Sequence, residues 1–301
     1  MSAPRIDWVV LTTGNRPHEL ATALNSIGPH LAAGERIHLV LNGPDLAPPD
    51  RSALEPPVGG ALHAIYAGEN LGIPGGRNLG AAASDADVIA FLDDDAVITS
   101  TALGSDLRAR FSADRRLGGV SFRIVDPVSG ETAQRHVPRV GGAGVEREGR
   151  VTSFLGGACA LSGSMFRDVG GYEDAFFYAH EESDLAWRAI AGGWRFVYAP
   201  SLIVEHPILP TTRHPGAIER SMRNRVWLVR RNLPASLALL HLTLWTVIGV
   251  ARSRSVAALS STWRGLRAGM RDLPEPRHPA NGRSRWRTAW RLTRAGRPPV
   301  L

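Results

Sequence analysis

Residues 6–41 read IDWVVLTTGNRPHELATALNSIGPHLAAGERIHLVL, and the fold class follows from them. An apolar run, Ile6–Leu11, gives way to a polar turn. A helix-compatible segment follows over Pro17–Ile27, and a second apolar run, Ile37–Leu41, closes the unit. The same rhythm continues outward, with an apolar run at Leu62–Ala67, a helix near Gly75–Ala83 and an apolar run at Val88–Leu92. Short apolar runs alternating with helices predict an α/β fold, a mostly parallel sheet flanked by helices on both faces. In such sheets ligands bind beyond the carboxyl ends of the strands.

After Leu92 the pattern loosens. A helix is expected near Thr101–Phe111 and a strand near Gly119–Val125. The Gly-rich stretch from Gly141 to Gly157 reads as loop with short strands, followed by a helix over Glu181–Ala191 and a strand at Arg195–Ala199. A basic helix is expected at Ala217–Asn232. Pro234 then precedes ASLALLHLTLWTVIGVA, residues 235–251, which carries no formal charge and is compatible with a short membrane span, a buried helix or an interfacial one. No repeat of fixed period is present, and the chain divides into a main domain, 1–232, and a basic, partly apolar helical extension, 233–301.

The chain has 301 residues, of which 44% are hydrophobic, enough for one large core. The net charge of +7 is uneven: residues 1–212 carry 17 Arg against 25 acids, and residues 213–301 carry 18 Arg against three. Such a tail suits nucleic acid or an anionic membrane surface. A nucleic-acid module leaves the acidic strand ends unexplained, so no nucleic-acid partner is expected. The single Cys159 excludes an internal disulfide and fits a reducing cytoplasm. The apolar run near the N-terminus lacks the flanks of a signal peptide and reads as a first strand.

Asp93, Asp94 and Asp95 directly follow the run VIAFL. Adjacent carboxylates repel one another unless a cation or hydrogen-bond donors neutralise them, which points to Mn²⁺ or Mg²⁺ and a diphosphate substrate. Asn70–Gly80 reads NLGIPGGRNLG; its glycines allow close backbone approach, the helix after it offers N–H groups to anions, and Arg77 lies within it. Glu181, Glu182 and Asp184 begin a helix, where carboxylates complement the helix dipole or serve as a general base. His206 follows a strand-like run, either as a structural residue or as a metal ligand.

Taken in order, VVLTTGNRP, NLGIPGGRNLG, FLDDDA and VGGYEDAFFYAHEESDLAWRAIAGGWR resemble the motifs of the family 2 glycosyltransferases over roughly Ile6 to Pro234. The resemblance implies a GT-A fold and an inverting enzyme. It would transfer a sugar from a UDP- or dTDP-linked donor to a saccharide or lipid-linked acceptor in cell-wall or lipid-linked polysaccharide synthesis. It assigns Thr12, Thr13, Asn15, Arg16, Asn42, Asn70, Arg77, Asp93 and Asp94 to the donor nucleotide, and Asp95, Asp93 and His206 to the metal. The catalytic base falls on Glu182, with Glu181 and Asp184 as alternatives. Leu41 and Gly14 stand where many members carry an Asp and an aromatic residue. A sugar nucleotidyltransferase is the rival enzyme, although TTGNRP is a poor substitute for the Gly-rich loop that class needs. A non-catalytic relative and a basic binding module are the others. The expected location is cytoplasmic, with Trp245, Trp263, Trp286 and Trp290 among the tail arginines suited to the inner face of the membrane. Residues 284–294 read either as a helix with Trp286 and Trp290 on one face or as a solvated tail.

Overall fold

In a computed structural model that describes residues 3–138, 144–208, 216–253, 255–275, 284–296 and 298–300, the first apolar run is a central strand whose alternate residues face opposite layers. This strand is β1 (Ile6–Thr12). It is followed by α1 (Pro17–Ile27), β2 (Ile37–Leu41), α2 (Pro56–Ala61), β3 (Leu62–Tyr66), α3 (Gly72–Ala82) and β4 (Val88–Asp93). Ile6, Trp8 and Val10 of β1, with Val88, Ala90 and Leu92 of β4, join Leu20, Leu24 and Ile27 of α1 in one core. Val9, Ile89 and Phe91, from the same strands, enter a second core on the other face. Strands buried on both sides in this way read as continuous apolar runs, which is why they are conspicuous in the sequence.

The remaining strands are β5 (Val97–Ile98), β6 (Leu117–Val125), β7 (Gly149–Val151), β8 (Ala158–Ser162) and β9 (Arg195–Glu205), with helices α4 (Leu103–Ala113), α5 (Gly163–Val169) and α6 (Glu181–Ala191). Among the described residues the sheet order is β3-β2-β1-β4-β8-β6-β9-β5, with β7 on β9. Pairing is parallel from β3 through β4. Beyond it the sheet is mixed, because β8 runs antiparallel to both β4 and β6. This reversal puts the residues entering β8 beside the end of β4. Strand β9 outruns the expected end at Ala199: Pro200 cannot donate to a ladder, and the chain bulges until Ile203 resumes pairing with Arg123.

Among the described residues four further helices follow: α7 (Ala217–Asn232), α8 (Ala235–Arg252), α9 (Val256–Arg271) and α10 (Arg285–Arg294). Helix α9 was not anticipated. Its Gly265 and Gly269 admit α7 at backbone distance, a Cβ on Gly269 falling 2.6 Å from Val226 Cβ. Of the two readings of residues 284–294 the helix holds. Ala289 and Leu292 are buried, and Arg291 Nη1 donates to Ala191 O at 2.6 Å, capping α6, while Trp286 and Trp290 stay exposed. Pro276, Pro279 and the start of the Gly-rich stretch at Gly141 lie outside the described residues.

Helix α3 lies on β1 and β2 through glycines. A Cβ on Gly76 would strike Leu11, and one on Gly80 would sit 2.5 Å from Val9 Cγ1 and 2.9 Å from Val40 Cγ2. A Gly80→Val substitution is therefore expected to destabilise the fold by about 1–3 kcal/mol through overpacking. Urea unfolding should show this as a lower midpoint at unchanged slope; an unchanged midpoint would mean that α3 does not pack this tightly.

Candidate active site

Parallel pairing brings the carboxyl ends of β1, β2 and β4 to one edge, where Thr12 and Asp93 end their strands and Asn42 directly follows Leu41 of β2. Thr12 Oγ1 donates to Asp94 Oδ2 at 2.7 Å. Arg16, at the start of α1, reaches across the cleft to Asp94 Oδ1 at 3.2 Å and pairs with Asp95. Burial pushes the Asp94 carboxyl above its ordinary value, against the Thr12 hydrogen bond and the Arg16 charge.

A turn closed by Ala96 N donating to Asp93 O returns Asp95 to the side of Asp93. His206 joins them, its backbone N–H anchored on Val125 O at 2.9 Å where β9 ends beside β6. Ligand atoms of Asp93, Asp95 and His206 lie within 4.8 Å of one another, and His206 Nε2 is 3.0 Å from Asp95 Oδ1. Burial would lower the imidazole's pKa, but the hydrogen bond to Asp95 and the charges of Asp93 and Asp95 outweigh it, and the net shift is upward. Two carboxylates and one imidazole are a donor set that suits Mn²⁺ and also accepts Mg²⁺.

Arg77 faces this group from beneath. It is buried on α3, with Nη2 3.1 Å from Asp93 Oδ1 and Nη1 3.4 Å from Glu182 Oε1. One guanidinium thus bridges the Asp93 carboxylate and the start of α6. Burial raises the pKa of both Glu181 and Glu182. The negative charge of Glu182 adds to the rise at Glu181, and Arg77 opposes it at both. Glu181 Oε2 is buried with no hydrogen-bond partner among the described residues.

Asp184 stands apart. Its carboxylate accepts from Arg188 Nε at 2.8 Å and from Asn232 Nδ2 at 2.9 Å, tying α6 to α7. Asn42 and Asn70 are turned to the backbone. Asn42 Oδ1 accepts from Leu71 N at 2.9 Å, its Nδ2 donates to Gly72 O at 3.2 Å, and Asn70 Oδ1 accepts from Gly72 N at 2.9 Å, so the pair shapes the entry to α3. Thr13 and Asn15 are exposed at the cleft rim and bond each other at 3.1 Å. Gly14 has a φ of 75° with Leu46 over it, and Leu41 is buried, so neither position offers a group to the cleft.

Three features escaped the sequence reading. Gly156 and Gly157, which lead into β8, lie where a Cβ would collide with Arg77 and with Asp93 respectively; the pair was visible only as part of a glycine-rich loop. Asn224 of α7 holds the loop before α6, its Nδ2 lying 2.8 Å from Phe176 O, 2.7 Å from Tyr178 O and 2.9 Å from Ala179 O. Asn78 fixes the GGYED segment to α3 through Tyr172 and Asp174. An isolated Asn on a helix carries no signal of its partner. The loop that Asn224 holds has Phe177, Ala179 and His180 at φ of 61°, 71° and 71°, a strained path that delivers Glu181 and Glu182 to Arg77.

Comparison with known proteins bears on the family and the fold. The model of glycosyl transferase family 2 matches residues 8–161, which include the ends of β1, β2 and β4 and the two glycines before β8. A pre-mycofactocin glycosyltransferase of Mycobacterium tuberculosis is 33% identical over 144 residues, covering 43% of this chain and 29% of that protein. An N-acetylglucosaminyl-diphospho-decaprenol L-rhamnosyltransferase of the same organism is 30% identical over 138 residues, covering 44% of each. The chain thus spans less than half the length of these relatives. Solved structures share the fold: S. aureus TarS at a TM-score of 0.61 and 14% identity over 90% of this chain and 49% of that one, and a mannosyltransferase from Pyrobaculum calidifontis in complex with GDP-Man and Mn²⁺ at 0.57 and 16% over 90% and 86%. GalNAc-T7 with UDP, GalNAc and Mn²⁺ aligns at 0.59 and 12% over 90% and 56%. With the family model matched over half its length and the GT-A fold around its acidic strand ends, the chain belongs to glycosyl transferase family 2.

Proposed function

We propose that the chain is an inverting glycosyltransferase that moves a sugar from a UDP- or dTDP-linked donor to a hydroxyl of a lipid-linked or saccharide acceptor. The observation that carries this reading is the buried Arg77, which places a carboxylate of raised proton affinity, Glu182, one guanidinium away from a two-carboxylate, one-histidine cation group.

Glu182 accepts the proton of the acceptor hydroxyl as that oxygen attacks the anomeric carbon. A base whose pKa is lifted toward working pH binds that proton better than an ordinary carboxylate does. Arg77 keeps Glu182 ionised and fixes its orientation. Arg16, Thr13 and Asn15 line the rim where the nucleotide diphosphate would enter, and Asn42 with Asn70 shapes the backbone beneath it. Asp93, Asp95 and His206 would hold Mn²⁺ or Mg²⁺, which when bound neutralises the charge developing on the leaving diphosphate. Attack from the face opposite the diphosphate inverts the anomeric configuration. The solved relatives named with Mn²⁺ support a metal here, and the relative named for a diphospho-decaprenol acceptor supports a lipid-linked one.

Residues 233–301 form, in this reading, an extension that seats the transferase domain on the cytoplasmic face of the membrane. Among the described residues α8 is the one helix long and apolar enough to cross a bilayer. Its Leu239 and Val247 are 68% and 61% exposed beside an Arg-rich surface, an arrangement suited to peripheral attachment.

Two tests follow. In a thermal-shift titration with UDP, dTDP and GDP, with and without Mn²⁺, one nucleotide should raise Tm only when metal is present, and Asp95→Ala should abolish the gain; a ligand at a hundred times its Kd stabilises by about 2.7 kcal/mol. Absence of any shift in the wild type would reject the donor site. Second, Glu182→Gln should lower kcat by about 10²–10⁴-fold while leaving the nucleotide shift intact. Because burial raises the Glu182 pKa and Arg77 lowers it, the acid limb of the wild-type pH profile should lie above the ordinary glutamate value of 4.5. In Arg77→Gln that limb should move to still higher pH. A limb that stays put in Arg77→Gln would show that Glu182 is not the base.

A further inference from the structure

Glu181 has no part in the chemistry described above, yet it lies at its centre. It opens α6 directly before Glu182 and is 2% exposed. Its Oε2 has no hydrogen-bond partner among the described residues, and the carboxyl is served by the backbone N–H of its own residue. The nearby cation is engaged elsewhere: Arg77 Nη2 lies 3.1 Å from Asp93 Oδ1 and Nη1 lies 3.4 Å from Glu182 Oε1. Three carboxyl groups thus surround one guanidinium, and Glu181 is the one with which Arg77 forms no ion pair.

The three also differ in their access to water. The side chains of Asp93 and Glu182 are 40% and 22% exposed, so water helps to hold their charges, whereas Glu181 is sealed off. A carboxylate cut off from water and from donors takes up a proton rather than remain charged. The groups that act on Glu181 are Arg77 of α3, Asp93 of β4, Glu182 of its own helix and the buried Tyr172 from the loop after α5. Asp93 and Glu182 oppose a further negative charge. The Tyr172 hydroxyl has no partner among the described residues, so it does not donate to Glu181. Helix α7 meets this end of α6 through neutral side chains, Ser221 at His180 and Asn232 at Asp184, and Asp184 is paired with Arg188. The start of a helix favours negative charge, but Glu182 lies in the same field. Burial, with the charge of Glu182 added, raises the proton affinity of Glu181 against the pull of Arg77.

We infer that Glu181 is carried as the neutral acid and acts as a positioning residue for Glu182, because by giving up its charge it leaves the guanidinium of Arg77 to Asp93 and Glu182. With Glu181 ionised, three negative charges would compete for one cation, and the contact that orients Glu182 would be divided. The inference rests on the transferase reading for the role of Glu182 and adds to it the residue that holds the proton beside the base.

The test is infrared difference spectroscopy of the full chain with Mg²⁺ present, stepping from about pH 6 to about pH 9. Ordinary Asp and Glu carboxyls, with pKa values of about 3.9 and 4.3, are ionised throughout this range. A carboxyl that ionises within it loses its protonated carbonyl stretch. The wild type should show this loss, and in Glu181→Gln the loss should be smaller by one carboxyl. In Glu182→Gln it should persist and move to lower pH, because the charge that adds to the proton affinity of Glu181 is gone. The inference is overturned if the wild type shows no such loss or if Glu181→Gln shows it undiminished. It is also overturned if Glu182→Gln abolishes it, since the proton would then sit on the base. Urea unfolding gives an independent reading. Ionising Glu181 costs the folded state above the ordinary glutamate value of 4.5, increasingly as pH rises, and glutamine has no such cost. The midpoint of Glu181→Gln should therefore gain on that of the wild type between about pH 6 and about pH 9; a difference that is the same at both would overturn the inference. Should Glu182→Gln leave kcat unchanged, the base assignment would fall while the infrared result still located the proton, so the two failures are read separately.

Discussion

A single buried guanidinium, that of Arg77, holds the site together. Carboxylates of Asp93 and Glu182 converge on it from β4 and α6, with Glu181 close enough to feel its charge. The Arg77 side chain is only 5% exposed, so its charge depends on these carboxylates for compensation, while Asp93 and Glu182, at 40% and 22%, keep part of their contact with water. The surroundings hold these groups in contact. Glycines at 156 and 157 leave room for the side chains to meet, and glycines at 76 and 80 let α3 approach the sheet closely enough to carry Arg77 beneath Asp93. The charged cluster and the glycine pattern are thus one requirement: charges that are to neutralise each other out of water must touch, and Cβ atoms at these positions would hold them apart.

The C-terminal helices belong to the same construction. Helix α7 reaches the site through Asn224, which gathers the carbonyls of the loop before α6, and through Asn232, which ties down Asp184. Helix α9 packs on α7 through its own glycines, and α10 caps α6 through Arg291. The loop carrying the two glutamates is therefore clamped from both sides, by α3 and by α7. Positive φ angles at Phe177, Ala179 and His180, three of four consecutive residues, are costly, and they persist because these clamps over-determine them. A rearrangement of α7 or α8 would be felt at Glu182 without any residue of the tail contacting the donor.

Much of this was legible in the sequence. The parallel half of the sheet shows itself because strands buried on both faces are continuously apolar, and the acidic triplet at the end of β4 follows because a parallel sheet presents strand ends at one edge. The grouping of Asp93, Asp95 and His206 was implied by the family resemblance and not by spacing, since His206 follows β9, over a hundred residues later; in the structure the three side chains lie together. Other assignments meet a different geometry. The resemblance assigns Arg77, Asn42 and Asn70 to the donor nucleotide, and in the structure their polar atoms are turned to Asp93 and Glu182, and to the backbone at residues 71 and 72.

What the sequence by itself determined was local: periodicity, strand ends, the acidic triplet and the helix starting at Glu181. These depend on neighbours along the chain, where spacing is known. What only the tertiary structure decided is which charges share a space. Glu181, Glu182 and Asp184 are equivalent as letters at a helix start, but helical rotation sends Glu182 to Arg77 and Asp184 to Arg188 and Asn232, and leaves Glu181 buried with an oxygen that has no hydrogen-bond partner among the described residues. Desolvation and pairing energies depend on distance in space, and the order of residues along the chain does not contain that distance.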